Sequence, residues 1–139
     1  MIDQRTGPYA ILLLRVVLGV MFLAHAYLKA AIFGMAGAGK YFVSLGLPAW
    51  FAYPITGLEI IGGLALILGV YVRWAALVLC GELLGTIVFA HGAAGWLSSN
   101  KGGGWEFPAL WAAALLAVAL LGDGPMALTR SPGLSKSRS

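Results

Sequence analysis

The sequence predicts an all-α membrane protein, a four-transmembrane-helix bundle with both termini cytoplasmic. Three observations carry this. Of its 139 residues, 60% are hydrophobic and the mean hydropathy is +0.90, more apolar surface than a soluble domain of that size needs. The apolar residues collect in four stretches, at about residues 9–31, 50–71, 73–91 and 105–121. Each approaches the roughly 20 residues that cross a bilayer. The stretches are continuous rather than alternating, which argues against a small β-barrel. They use most of the chain, so residues 1–124 read as one transmembrane domain and residues 125–139 as a polar, disordered cytoplasmic tail.

The first helix is expected to begin at Pro8, since proline suits a first helical turn. Ala24-His25-Ala26 has the look of a signal-peptide cleavage site, but Arg15 falls inside what would be its uncharged core, so the run is read as a mature helix. Residues 30–48 carry Gly34, Gly37, Gly39 and Gly46 and are expected to leave the helix, with residues 40–43 flat on the membrane surface. Pro48 precedes the second helix. A very short turn at Tyr71-Val72-Arg73 makes the second and third helices an antiparallel hairpin. Residues 92–104, rich in Gly, Ser and Asn, form the third loop, in which Gly102-Gly103-Gly104 reads as flexible. Pro108 stands in the first turn of the fourth helix, where it is tolerated. Gly122-Asp123-Gly124-Pro125 ends that helix.

Orientation follows from lysine and arginine. An even number of spans puts both ends on one side, with Arg5, Arg73, Arg130, Lys136 and Arg138; the other side has Lys29, Lys40 and Lys101. Five against three places the ends in the cytoplasm. Tyr9, Tyr71 and Trp74 form one interfacial belt, and Tyr27, Trp50, Tyr53, Trp96 and Trp105 the other. The net charge of +4 rests partly on the basic tail and is no nucleic-acid signal. The single cysteine, Cys80, excludes an intrachain disulfide and a CxxC pair.

Only 10% of residues are charged, yet Arg15, Glu59 and Glu82 interrupt apolar runs, Glu106 opens the fourth and Lys29 closes the first. A charge at the bilayer centre costs about 2.5–3.5 kcal/mol on the lenient insertion scale, so such groups pair or do work. Arg15, His25 and Lys29 share roughly an 80° arc of the first helix. Glu59 shares its face with Gly62 and Gly63, Glu82 lies beside the GxxxG of Gly81 and Gly85, and Glu106 stands over alanines. Small residues let helices approach, so these carboxyls are expected to face inward. Helical rise puts Arg15, Glu82 and Glu59 at roughly 10, 14 and 18 Å from the cytoplasmic end. They are expected to form a buried ion-pair cluster, in which Arg15 pairs with Glu59 or Glu82. The count is uneven, one guanidinium against two carboxyls.

His25, Lys29, His91, Trp105 and Glu106 fall near the opposite surface and form a candidate site for a quinone or a partner protein. A neutral imidazole at His25 suits a quinone carbonyl or hydroxyl; the plainer alternative is a histidine satisfied by Glu106 or a backbone carbonyl. Bis-histidine haem ligation by His25 and His91 is disfavoured, because His91 sits at a helix end. No metal, nucleophile or phosphate-loop motif is present, and no catalytic residue is assigned.

Several of these residues recur together in a way that resembles the DoxX family of small four-helix integral membrane proteins. They are Leu14-Arg15 with Gly19 and Phe22, then His25 and Lys29, Gly46-Leu47-Pro48, Glu59 with Gly62-Gly63, and Gly69 with Arg73. Further along come Ala90-His91, Gly103-Gly104-Trp105-Glu106 and Leu121-Gly122-Asp123-Gly124. The resemblance implies a protein of the cytoplasmic (inner) membrane associated with redox chemistry; some of the family resemble small subunits of quinone-reducing oxidoreductases. Ala26 replaces a glycine usual after the histidine, and Glu82 occupies a stretch that is normally apolar.

The reading is therefore an accessory or redox-associated subunit of a membrane oxidoreductase. It is expected to carry no cofactor of its own beyond a bound quinone. Its partners are the lipid bilayer and another membrane subunit or a second copy, with no nucleic acid. The alternative is a structural or assembly protein that packs against another membrane subunit. A proton or solute pathway ranks last, since four short helices enclose little lumen.

Overall fold

The computed structural model describes residues 1–132. Among these it is all-helical, with a single isolated β-bridge between Val70 and Thr129. Helix α1 spans Gly7–Tyr27 and runs on into a π-helical turn, Leu28–Ile32. Helix α2 is Gly34–Ser44; a 3₁₀ turn, Ala49–Phe51, leads into α3, Ala52–Leu68. Helix α4, Val72–Thr86, continues as a second π-helical turn, Ile87–His91, and a 3₁₀ turn, Gly92–Ala94. Helix α5 is Glu106–Leu121.

Three continuous helical segments are long and apolar enough to cross a membrane: Gly7–Ile32, Ala49–Leu68 and Val72–Ala94. Helix α5 is apolar but has 16 residues, about 24 Å of rise against a hydrocarbon core of about 30 Å. Leu13, Val20, Ile61, Val88, Leu110 and Leu120 are among many large apolar side chains that stay exposed. A surface of that kind is intolerable in water and matches acyl chains, so this is an integral membrane protein.

Helix α2 falls where a non-helical segment was expected. Three glycines weaken its propensity, but backbone groups at a membrane must be paired internally, and a helix does that within the segment. Gly34, at φ 72°, makes the bend from the π-helical turn. Gly39 seats α2 on the turn before α3, within 3.2 Å of the Ala49 carbonyl from its Cβ position.

Packing is tightest between α1 and α3. A Cβ on Gly19 would come within 2.6 Å of the Gly63 carbonyl, and one on Gly63 within 2.9 Å of the Gly19 carbonyl. Gly62 lies against Leu79 of α4, where a Cβ would meet the leucine at 2.8 Å. The core is Leu18, Phe22, Leu66, Leu79, Leu115 and Val118 with their neighbours. The α3–α4 turn falls at Gly69–Tyr71, two residues ahead of the expected Tyr71–Arg73. Gly69 ends α3 at φ 76°, and the Gly69 and Val70 amides both donate to the Ala65 carbonyl.

Residues 122–131 form a strap that folds back over this turn, contrary to the expected disordered tail from 125. The Leu128 and Thr129 amides donate to the Leu68 and Gly69 carbonyls at 3.3 and 3.0 Å. The strap thereby supplies partners that the last turn of α3 lacks. Lys136 and Arg138, which also figured in that tail and in the orientation count, lie outside the described residues.

Candidate functional site

The buried polar groups fall into two separate sets, not one cluster. In the first, Lys29 sits in the π-helical turn after α1 and turns its side chain inward. Its Nζ donates to both carboxylate oxygens of Glu59 on α3, at 2.7 and 2.8 Å. The Glu59 side chain is 5% exposed. Because Gly62 faces Leu79 across an antiparallel pair, Glu59 and Glu82, each one turn along, come on the facing sides of α3 and α4. The Glu82 Oε2 is buried without a hydrogen-bond partner, and so is the Thr56 hydroxyl one turn before Glu59. One ammonium thus faces two carboxyls, with unfilled hydrogen-bonding capacity beside them.

Arg15 is absent from that set, which corrects the expected Arg15–Glu59 or Arg15–Glu82 pair. It sits 14 residues before Lys29 on the same continuous segment, about 21 Å lower. Its Nη1 reaches the Gly69 end of α3, 3.1 Å from that glycine's Cβ position. There the guanidinium, 1% exposed, donates to the backbone carbonyls of Asp123, Pro125 and Met126. Its charge is met by carbonyl dipoles of the strap. The Asp123 carboxylate in turn accepts from the Ser131 amide at 2.9 Å and hydroxyl at 2.6 Å. Burial would push this carboxyl up, but the Ser131 donors, the Val72 amide and the charge of Arg130 outweigh it, and it is held below its ordinary range.

The residues expected at the opposite surface also divide. The loop from Gly92 to Trp105 is pinned by backbone bonds from Gly104 to Leu97, Trp105 to Gly95 and Glu106 to Trp96. His91, in the second π-helical turn, donates from Nδ1 to the Gly103 carbonyl at 2.7 Å. Trp105 meets Trp96 edge to face at 4.5 Å, and Glu106 accepts from the Ser98 hydroxyl at 2.9 Å. So His91, Trp105 and Glu106 are held by one ordered loop. His25 is elsewhere: its Nδ1 donates to the Met21 carbonyl of its own helix at 2.9 Å, and its ring lies 4.8 Å from Trp111. Trp111, which the sequence reading passed over, also stacks on Phe22 at 4.6 Å, and its indole N–H is buried without a partner.

Two open grooves run along α5. One, of about 690 Å³, is lined by Ser98 and Glu106 together with Trp96, Phe107, Leu110 and Ala113. The other, of about 420 Å³, lies between α4 and α5, with Cys80, Leu84, Trp105 and Leu116 among its lining. Gly81 and Gly85, expected to pack within the bundle, face outward instead; a Cβ at either meets nothing within 4 Å. The face of α4 that packs inward is the one bearing Leu79 and Leu83.

The DoxX family model matches residues 10–92. A protein of Bacillus subtilis (strain 168) named "Putative oxidoreductase CatD" is 38% identical over 77 residues, which are 55% of this chain and 56% of that protein. The chain thus spans about half the length of the curated relative it matches. No solved structure matches. The family match takes in Arg15, Lys29, Glu59 and Glu82 and stops before α5 and the strap.

Proposed function

Because the chain belongs to the DoxX family, we propose that it is a redox-associated accessory subunit of a membrane oxidoreductase. It sits in the cytoplasmic membrane with four spans and both termini cytoplasmic. The oxidoreductase named among its relatives supports the redox part of this reading. The observation that carries it is the groove along α5, in which a carboxyl and a hydroxyl stand among otherwise apolar lining residues.

That shape fits an amphiphile with a hydrogen-bonding head and an apolar tail, as in a quinone. A quinone, when bound, supplies reversible uptake of electrons and protons. Glu106 and Ser98 would meet its head: Ser98 engages one oxygen of Glu106, which leaves the other to accept from a ring hydroxyl. Trp96 and Phe107 would bound the ring, and Leu110 and Ala113 the start of the tail. His25 is not among the groove's lining residues.

Glu106→Gln removes a charge-assisted hydrogen bond, about 1.5–3 kcal/mol. The quinone retained after mild detergent extraction is therefore expected to fall roughly tenfold or more, while His25→Ala leaves it unchanged. Equal retention by wild type and Glu106→Gln would remove the quinone from this groove.

The outward Gly81–Gly85 stripe favours a second reading, assembly with another membrane subunit or a second copy, since small residues on a lipid-facing helix admit a neighbouring backbone. Gly81→Leu with Gly85→Leu is expected to leave the melting temperature of the isolated chain unaltered and to reduce co-purification of the neighbour. Gly19→Leu, by contrast, must force α1 off α3 and cost about 1–3 kcal/mol of stability, which a thermal melt reads as a lower melting temperature. Loss of chain stability in the Gly81/Gly85 variant would count against an assembly face.

A further inference from the structure

The end of the molecule that carries the strap gathers more positive charge than it neutralises. Three guanidiniums surround residues 122–131. Arg15 is bonded to three strap carbonyls. Arg73, in the first turn of α4, places its Nη2 3.0 Å from the Cβ position of Gly122. Arg130 donates from Nη1 to the Gly124 carbonyl at 3.0 Å. Facing them is one carboxylate, Asp123, whose oxygens already accept from Ser131. Asp3 is turned into its own helix start, accepting from the Arg5 and Thr6 amides. Among the described residues the single ion pair is Lys29–Glu59, so within that part of the chain no carboxylate lies in ion-pair reach of Arg73 or Arg130.

This end lies at a membrane boundary. The α3–α4 turn separates two membrane-length segments, Ala49–Leu68 and Val72–Ala94. Tyr9, Tyr71 and Trp74 are exposed around it, as aromatics at a headgroup layer are. Met126 and Leu128 of the strap are 79% and 71% exposed, apolar side chains next to the unpaired arginines. Such a surface suits a molecule with an anionic head and an acyl tail, and a free anion would leave the apolar part uncovered.

The geometry points to a binding site for the phosphate headgroup of an anionic phospholipid, formed by Arg73 and Arg130 over the strap. The headgroup supplies the missing negative charge, and its acyl chains lie against Met126, Leu128 and Trp74. This site is independent of the redox reading and of the α5 groove.

The test uses the full chain in detergent, titrated with phosphatidylglycerol, with phosphatidylcholine, or with inorganic phosphate, and read by native mass spectrometry and thermal melting. Phosphatidylglycerol is expected to bind and to raise the melting temperature; phosphatidylcholine and inorganic phosphate at equal concentration are not. Arg73→Gln with Arg130→Gln is expected to weaken phosphatidylglycerol roughly thirty-fold, from about 1 kcal/mol per basic residue. Arg130→Gln alone, at an exposed position, serves if the double variant does not fold, with a loss of about fivefold. Lys101→Gln, on the loop before α5, leaves binding unchanged. Equal affinity for the two lipids, unaltered affinity in the Arg73/Arg130 variants, or equal stabilisation by inorganic phosphate would each overturn the assignment.

Discussion

Arg15→Met is expected to cost about 3–5 kcal/mol and to leave little folded protein in the membrane. The guanidinium donates to the carbonyls of Asp123, Pro125 and Met126, and hydrogen bonds to a charged group are worth about 1.5–3 kcal/mol each, without being additive. Methionine is close in volume and removes every donor, so three carbonyls of the strap lose their partner. The strap then loses its hold on α1, and the bonds from Leu128 and Thr129 to the end of α3 go with it. Fluorescence-detected size exclusion and a thermal melt of the detergent-solubilised chain check this. Protease sensitivity at Arg130 gives a local readout that should rise before the whole chain unfolds. A variant with wild-type melting and a protected strap would refute the clamp.

Lys29→Met should also be severe, and for a different reason. It leaves Glu59, 3% exposed, facing Glu82 with no cation between them. Breaking a buried pair by removing one partner typically costs about 3–5 kcal/mol, whereas removing both charges is often close to neutral. The double variant Lys29→Met with Glu59→Met is therefore expected to recover most of the lost melting temperature. The two single variants and the double variant form a cycle whose coupling energy measures the pair. If Lys29→Met alone melts as wild type does, the ion pair contributes nothing to the fold.

These two residues also mark where the sequence was legible and where it was not. Long apolar runs announce membrane helices because only a helix pairs its own backbone in lipid, and α1, α3 and α4 fall on those runs to within two residues at their starts. That Arg15 lies closer than Glu59 to the end formed by the α3–α4 turn was readable from helical rise. Its partners were not, because they are backbone carbonyls 108 to 111 residues away, and carbonyls leave no mark in a sequence. Lys29 closes an apolar run and reads as part of the candidate site at the opposite surface, with His25 and Glu106. Its inward turn depends on a π-helical turn that no residue pattern announces, and on α3 lying close enough at Gly63 for Glu59 to be in reach. Gly102-Gly103-Gly104 looks like a slack loop; in the structure Gly104 is buried where any side chain would collide with the Leu97 carbonyl. Gly81 and Gly85 have the right spacing for helix contact, but the stripe cannot say whether the other helix belongs to the same chain.

The distance in sequence between Arg15 and the strap has a consequence for biogenesis. During synthesis the first helix leaves the ribosome with its guanidinium and must enter the bilayer, or wait beside it, before its acceptors exist. At about 5–20 residues per second, the intervening 108 residues take roughly 5–20 s to make. Throughout that interval the nascent segment holds an unmatched cation, so insertion of the first span is provisional and becomes permanent when the last stretch of polypeptide arrives.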